Sequence, residues 1–126
     1  MKKITIEEAV SYFDAQCPNQ YSRDEKIGWL SELDEQIYEE IIKTRVNPPV
    51  DEFDGYNDST PADTNLLVPS LYKDLYRYWL EKSVNYANRE IGAFNNAMAM
   101  FNTYYDDYFC WYNRTHTVKD VPKFRI

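Results

Sequence analysis

The sequence has few of the residues from which catalytic, metal and phosphate sites are built. Its 126 residues include three glycines, two cysteines and one histidine. Three scattered glycines cannot form a phosphate-binding loop, and a single histidine cannot supply a multi-histidine metal site. The G-x-S-x-G pattern of serine hydrolases does not occur. The sequence therefore predicts no catalytic residue, no cofactor site and no metal site.

Long apolar runs are also absent. No run approaches the roughly 20 residues that cross a bilayer, and the two N-terminal lysines are not followed by the apolar stretch of a secretory signal. Cys17 and Cys110 lie far apart without C-x-x-C spacing, which is typical of free thiols in a reducing cytosol. We expect a protein that is neither membrane-bound nor exported.

Basic charge is scarce as well. The chain has 14 Lys and Arg residues against 21 Asp and Glu residues, which gives a formal net charge of −7. A duplex-DNA reader needs a basic face to neutralise phosphates, so this composition excludes that function for the chain as a whole. Aromatic side chains, by contrast, are abundant at 17% and include 12 tyrosines.

The periodicity of the apolar residues predicts an all-α fold, a small antiparallel bundle of about four helices within residues 1–116. Thr5 with Glu8, and Ser22 with Glu25, have the spacing of helix-capping boxes. Phe94, Met98, Phe101, Tyr105, Tyr108 and Tyr112 repeat at alternating spacings of about four and three, a heptad-like seam. The predicted helices span residues 6–16, 23–46, 69–86 and 90–114.

One long loop, residues 47–65, interrupts the helices. It contains three prolines and five acidic residues, and a loop of this length in a small domain is often functional. With Gly55 at the sixth position of a calcium-binding loop, Val50 and Pro61 occupy the two end positions, so the EF-hand ligands are missing. We expect the loop to project into solvent or onto a partner. Its acidic candidates for that contact are Asp51, Glu52, Asp54, Asp58 and Asp63.

Six aromatic residues crowd positions 104–112, on every side of the predicted helix. One helix of a four-helix domain cannot bury all its faces within its own fold, and Tyr and Trp are favoured at interfaces. A purely core role, or a stacking platform for single-stranded nucleic acid, stays open as an alternative, although Asp106 and Asp107 argue against the platform. The subunit-interface candidates are Trp79, Tyr104, Tyr105, Tyr108, Trp111 and Tyr112.

Three segments carry a family resemblance. They are C-P-N-Q-Y-S-R-D-E-K-I-G-W-L-S-E-L-D at 17–34, Y-A-N-R-E-I-G-A-F-N-N-A-M-A-M-F-N-T-Y-Y-D-D-Y at 86–108 and Y-N-R-T-H at 112–116. They resemble the head–tail connector proteins of siphophages and prophages, also called adaptor or head-completion proteins. These motifs are structural signatures rather than catalytic ones. The resemblance covers most of residues 5–116, and the loop and the C-terminal tail depart from it most.

The resemblance implies a structural virion protein without enzymatic activity, made in the bacterial host cytoplasm. About twelve copies would form a closed ring beneath the portal, extend the DNA channel and carry the next stopper or tail-completion protein. DNA would pass through without specific binding, which an acidic lining favours because it repels phosphates. A C-terminal arm, residues 117–126, would dock on the portal. Its candidate docking residues are Lys119, Val121, Lys123, Phe124, Arg125 and Ile126.

Two further hypotheses remain at this point. One is a small acidic helical regulatory protein that binds a host or phage protein, for example as a DNA mimic. The other is an enzyme whose site the sequence does not reveal.

Overall fold

The computed structural model describes residues 2–118, and 63% of these residues are helical. Four helices and a two-stranded antiparallel sheet make up the fold, so the predicted helical class is confirmed but the fold is not strictly all-α. Part of the predicted arm, residues 119–126, lies outside the described residues. The elements are β1 (Lys3–Thr5), α1 (Ile6–Gln16), α2 (Arg23–Glu40), a 3₁₀ turn (Ile42–Thr44), β2 (Asn65–Pro69), a second 3₁₀ turn (Ser70–Tyr72), α3 (Asp74–Ala87) and α4 (Ile91–Thr115).

Helix α1 begins at the predicted capping box. The backbone N–H of Glu8 donates to Thr5 Oγ1 at 3.1 Å, and the N–H of Thr5 donates to Glu8 Oε1 at 3.0 Å. At the start of α2, the N–H of Glu25 donates to Ser22 Oγ, also at 3.1 Å. Each bond satisfies a backbone group that has no partner within the helix. Both helices therefore start where the local sequence indicates.

Helix α2 ends at Glu40, six residues before the predicted end. Its last turn contains the carboxylates of Glu39 and Glu40 and no basic residue. Carboxylates are unfavourable near the negative end of the helix dipole, so they weaken this end of the helix. The chain then enters the first 3₁₀ turn, where Thr44 Oγ1 donates to the carbonyl of Ile41 at 2.6 Å. Apolar residues continue at helical spacing through this turn, so their periodicity does not show that α2 ends at Glu40.

The small sheet was missed by sequence analysis. Lys3 pairs with Pro69 and Thr5 with Asn65, and the sheet buries Ile4, Leu66 and Val68. A three-residue strand is too short to show an alternating pattern. The prediction of a helix from residue 69 was wrong at its start. Pro69 is the last residue of β2, Ser70–Tyr72 form a 3₁₀ turn, and α3 begins only at Asp74.

Helices α3 and α4 form an antiparallel hairpin whose turn, residues 88–90, lies at the predicted break. Ring pairs join the two helices along their length: Tyr78 stacks on Tyr104 at 5.6 Å between ring centroids, and Trp79 lies 5.2 Å from Phe101. Three residues of the predicted seam are buried and the other three are half-buried. The buried ones are Phe101, Tyr108 and Tyr112.

Candidate functional site

The α3–α4 hairpin leaves large apolar side chains in solvent. Only four of the 25 residues of α4 are buried. The exposed fractions are 73% for both Tyr86 and Ile91, and 69% for Leu71. Isolated apolar residues on a surface are ordinary, but four of the five residues in this set lie on α3 and α4, and Leu71 lies in the 3₁₀ turn directly before α3. We call the set the hairpin surface; it consists of Leu71, Tyr86, Ile91, Met100 and Phe109.

The three large apolar residues that are exposed on α4 lie on two opposite flanks of the helix. Ile91 and Phe109 are separated by about five helical turns and therefore share one side. Met100 is about two and a half turns from each of them, so it lies on the other side. The buried residues of α4 face α3 between these flanks. The exposed apolar residues of α4 thus lie on two sides of the helix rather than one: Met100 is alone on its side, and Ile91 and Phe109 are about 27 Å apart along theirs.

The predicted interface aromatics are largely used inside the chain. Tyr108 is 0% exposed and Tyr112 is 5% exposed, so both belong to the core of the single chain. The other four are half-buried and pack against that core: Trp79, Tyr104, Tyr105 and Trp111. Helix α3 makes this burial possible because it brings a matching row of aromatic rings to α4.

The acidic loop is bound to the domain through its backbone. Tyr38 donates its hydroxyl to the carbonyls of Asp51 at 2.5 Å and Val50 at 3.2 Å. The N–H of Tyr56 donates to Ser31 Oγ at 2.9 Å. The expected projection into solvent therefore applies to the acidic side chains, whereas Tyr56 is buried and Phe53 packs against the core. The five candidate acids are all exposed: Asp51, Glu52, Asp54, Asp58 and Asp63.

A buried carboxylate at Asp34 anchors this loop. Asp34 is 0% exposed. Its carboxylate accepts the hydroxyl of Tyr56 at 2.6 Å, the hydroxyl of Tyr76 at 2.7 Å and the N–H of Leu67 at 3.0 Å. Tyr76 in turn accepts the N–H of Val68 at 2.9 Å. One side chain of α2 thereby joins the loop, β2 and α3.

Burial raises the pKa of Asp34 from its ordinary value of 3.8 to about 6, although its three hydrogen-bond donors oppose the rise. Burial and the Asp34 charge raise the pKa of Tyr56 and Tyr76, so both phenols keep their protons and act as donors. Asp34 has no solvent contact, and a substrate could not reach it in this conformation. We therefore assign this network a structural role.

The Asp34 network predicts a specific dependence of stability on pH. Because the pKa of Asp34 is higher in the folded than in the unfolded chain, protonation of Asp34 stabilises the fold. This stabilisation is fully present below about pH 4 and is lost as the pH rises through 6. Because a tenfold change in proton affinity corresponds to about 1.4 kcal/mol, the loss is about 3 kcal/mol. Urea unfolding from pH 4 to 8 should show wild-type stability falling relative to that of Asp34→Asn, which cannot ionise. Parallel curves for the two proteins would contradict the raised pKa.

Sequence analysis did not identify Asp34, which lies on the buried side of α2. Its neighbours at helical spacing, Leu30, Ile37 and Tyr38, are all buried, and this spacing is the signal that could have found it. Two cations were missed as well. Lys26 is buried and bonds Asp14 at 2.7 Å, and Arg45 is buried beside α4.

No family model, curated protein or solved structure matches the chain. None of the helices found between residues 2 and 118 is both long enough and apolar enough to cross a membrane. Over the same described residues, no three His, Cys, Asp or Glu side chains group as ligands for a metal ion.

Proposed function

We propose that this protein assembles with copies of itself as a structural component, and specifically that it is a head–tail adaptor of a tailed phage. In this role, about twelve subunits form a ring beneath the portal. The observation that carries the proposal is the placement of exposed apolar residues on opposite flanks of α4. The adaptor role itself rests on the resemblance of residues 17–34, 86–108 and 112–116 to the connector family.

Two different apolar flanks suit a closed ring. In a ring each subunit contacts its neighbours through two unlike surfaces, whereas a two-fold dimer needs only one surface that matches itself. Ile91 and Phe109 on one flank and Met100 on the other provide such a pair. Leu71, just before α3, and Tyr86, at its end, enlarge the apolar area.

The distribution of charge supports passage of DNA without binding. Asp51, Glu52 and Asp54 lie in the part of the loop whose backbone bonds Tyr38 and Ser31. Asp63 lies between Ala62 and Thr64, whose carbonyls accept the N–H groups of Glu7 and Ile6. In a ring, acids repeated around the axis would repel phosphates and let the duplex slide. The portal-docking part of the proposal concerns Lys119 to Ile126, which lie outside the described residues.

Self-association should depend on the hairpin surface. We expect purified protein to form rings, alone or with the portal protein of the same phage module, and Ile91→Glu or Phe109→Glu to abolish them. A glutamate carboxylate buried in an apolar contact costs several kcal/mol unless it is paired. Light scattering after size exclusion measures the mass, and negative-stain microscopy shows the ring. The matched control is Ala15→Glu, which adds the same charge at an exposed position of α1.

A wild-type protein that stays monomeric at high concentration and does not bind the portal protein would contradict the adaptor proposal. It would favour the regulatory alternative. Rings that persist in both glutamate variants would keep the adaptor role but remove the hairpin surface from it.

A further inference from the structure

A cavity of about 670 Å³ lies at the turn between α3 and α4, at one end of the hairpin. Its volume is in the range of small-molecule sites, which combine an apolar wall with a few polar groups. The side chains of Tyr86, Ile91 and Phe94 form the apolar part of the wall. The rings of Tyr86 and Phe94 lie 5.7 Å apart between their centroids, so both helices of the hairpin contribute an aromatic ring to the cavity.

The turn that shapes this cavity is held by backbone hydrogen bonds. The N–H of Arg89 donates to the carbonyl of Tyr86 at 3.0 Å, and the N–H of Glu90 donates to the carbonyl of Asn85 at 2.9 Å. Arg89 has a φ of 61°, in the left-handed region that favours glycine. An arginine therefore costs stability here, and residues held in such conformations cluster at functional sites.

One polar side chain of the wall is buried without a partner. Asn85 is 8% exposed, and its side-chain amide makes no hydrogen bond to any residue described between positions 2 and 118. The amide still contacts solvent, unlike the unpartnered hydroxyls of Tyr108 and Tyr112. Asn85 lines the cavity, so its amide is open to an occupant there. A buried amide without a protein partner is unfavourable, and a ligand that bonds it would be stabilised.

The same wall carries one charge of each sign. Arg89 and Glu90 both line the cavity and are exposed. Within the described part of the chain, neither of them forms a salt bridge with the other or with a third residue. A ligand with one negative and one positive group would therefore find a partner for each, whereas a singly charged ligand would leave one wall residue unmatched.

We propose that this cavity binds a free α-amino acid with an aromatic side chain. Its ring would pack against Tyr86 and Phe94. Its carboxylate would accept from Arg89, its ammonium would donate to Glu90, and Asn85 would bond the polar end of the ligand from the buried side. A phosphate ester fits poorly, because its charge needs several cationic donors and the wall has one.

L-Phenylalanine is a suitable probe, since 3-phenylpropionate lacks its ammonium group and phenethylamine lacks its carboxylate. We expect calorimetry on the full chain to show L-phenylalanine binding about threefold more tightly than either analogue, because each pair of exposed charges contributes little. An analogue that binds as tightly as L-phenylalanine would overturn the proposal, since one of the two charged wall residues would then have no role. Absence of saturable L-phenylalanine binding up to about 10 mM would do the same.

Substitutions in the wall locate the site. Asn85→Ala should lower the affinity for L-phenylalanine about fivefold. Asn96→Ala, which removes an exposed amide outside the cavity wall, should leave it unchanged. Arg89→Gly should lower the affinity about threefold and raise the melting temperature, because glycine adopts a positive φ without strain. If Asn85→Ala does not fold, Arg89→Gly decides the result. Unchanged affinity in the folded variants would overturn the assignment.

The cavity shares Tyr86 and Ile91 with the hairpin surface, so assembly would cover part of it. Binding is therefore also measured with Phe109→Glu, which is expected to block assembly and lies about 27 Å from Ile91 along α4. A wild-type protein that stays monomeric and binds L-phenylalanine would support this site and contradict the adaptor proposal. A wild-type protein that forms rings, together with a Phe109→Glu variant that does not bind L-phenylalanine, would do the reverse.

Discussion

Replacing Asp34 with alanine is expected to lower the free energy of unfolding by roughly 4 to 5 kcal/mol at neutral pH. The substitution removes the only carboxylate that Tyr56, Tyr76 and the N–H of Leu67 share. Each buried donor left without an acceptor costs about 1 to 3 kcal/mol. Relief from burying the Asp34 charge offsets part of this sum, so the net loss is smaller than the three donors alone would give.

Urea unfolding, followed by tryptophan fluorescence, measures this loss. Asp54→Ala is the matched control, because it removes an exposed carboxylate from the loop that Asp34 anchors, and a change within about 0.5 kcal/mol is expected there. A loss below about 1 kcal/mol for Asp34→Ala would mean that water or a shifted side chain takes over the three donors. That result would remove Asp34 from its role as the anchor of the loop.

Much of the helical framework could be predicted because it is encoded locally. Thr5 and Glu8 satisfy each other's backbone groups within a few residues, so no distant part of the chain decides where α1 begins. The seam of α4 is likewise a property of its own sequence, and Phe101, Tyr108 and Tyr112 are buried as the heptad spacing requires. The capping bonds are short-range contacts, and the spacing of the seam is fixed within α4, although its burial depends on rings that come from before and within α3.

Features that depend on distant partners could not be predicted. A two-stranded sheet joins residues about 65 positions apart, and nothing near Lys3 or Pro69 shows that pairing. The polarity of Asp34 and Arg45 indicates solvent exposure, yet both are buried because Tyr56, Tyr76 and Tyr112 arrive from other elements to contact them. Burial of an ionisable group is decided by tertiary partners, which a single sequence does not display.

The exposed surface of the hairpin could likewise be predicted only in part, because it depends on both local sequence and distant partners. Counting aromatics at positions 104–112 predicted an excess for one helix, but Tyr108 and Tyr112 are covered by the chain itself. The apolar residues that remain in solvent on α4 are instead Ile91, Met100 and Phe109. Identifying them requires knowing which side α3 covers, and that follows from the hairpin geometry rather than from composition. Phe109 is the one residue that the aromatic cluster at 104–112 and the exposed apolar set of α4 share, so the proposal of an assembly surface rests mostly on residues outside that cluster.

The loop that Asp34 anchors also depends on Gly55, and Gly55→Ala is expected to destabilise the fold by about 4 kcal/mol. Gly55 has a φ of +86°, which side chains rarely adopt. An added Cβ would overlap Ser31 Oγ and lie 3.0 Å from Glu35 Cδ. Ser31 cannot simply rotate away, because its Oγ accepts the N–H of Tyr56. Backbone strain, steric overlap and the lost hydrogen bond therefore act together.

Gly28→Ala is the matched control for this substitution. Gly28 lies inside α2 with nothing within 4 Å of an added Cβ, so alanine should stabilise the protein by about 1 kcal/mol through helix propensity. In thermal unfolding, we expect a melting temperature below that of the wild type for Gly55→Ala and above it for Gly28→Ala. If Gly55→Ala instead matched wild type, the loop would be free to adjust around Ser31. Asp51, Glu52 and Asp54 would then not be held in fixed positions, and the charge argument for a DNA channel would lose most of its structural basis.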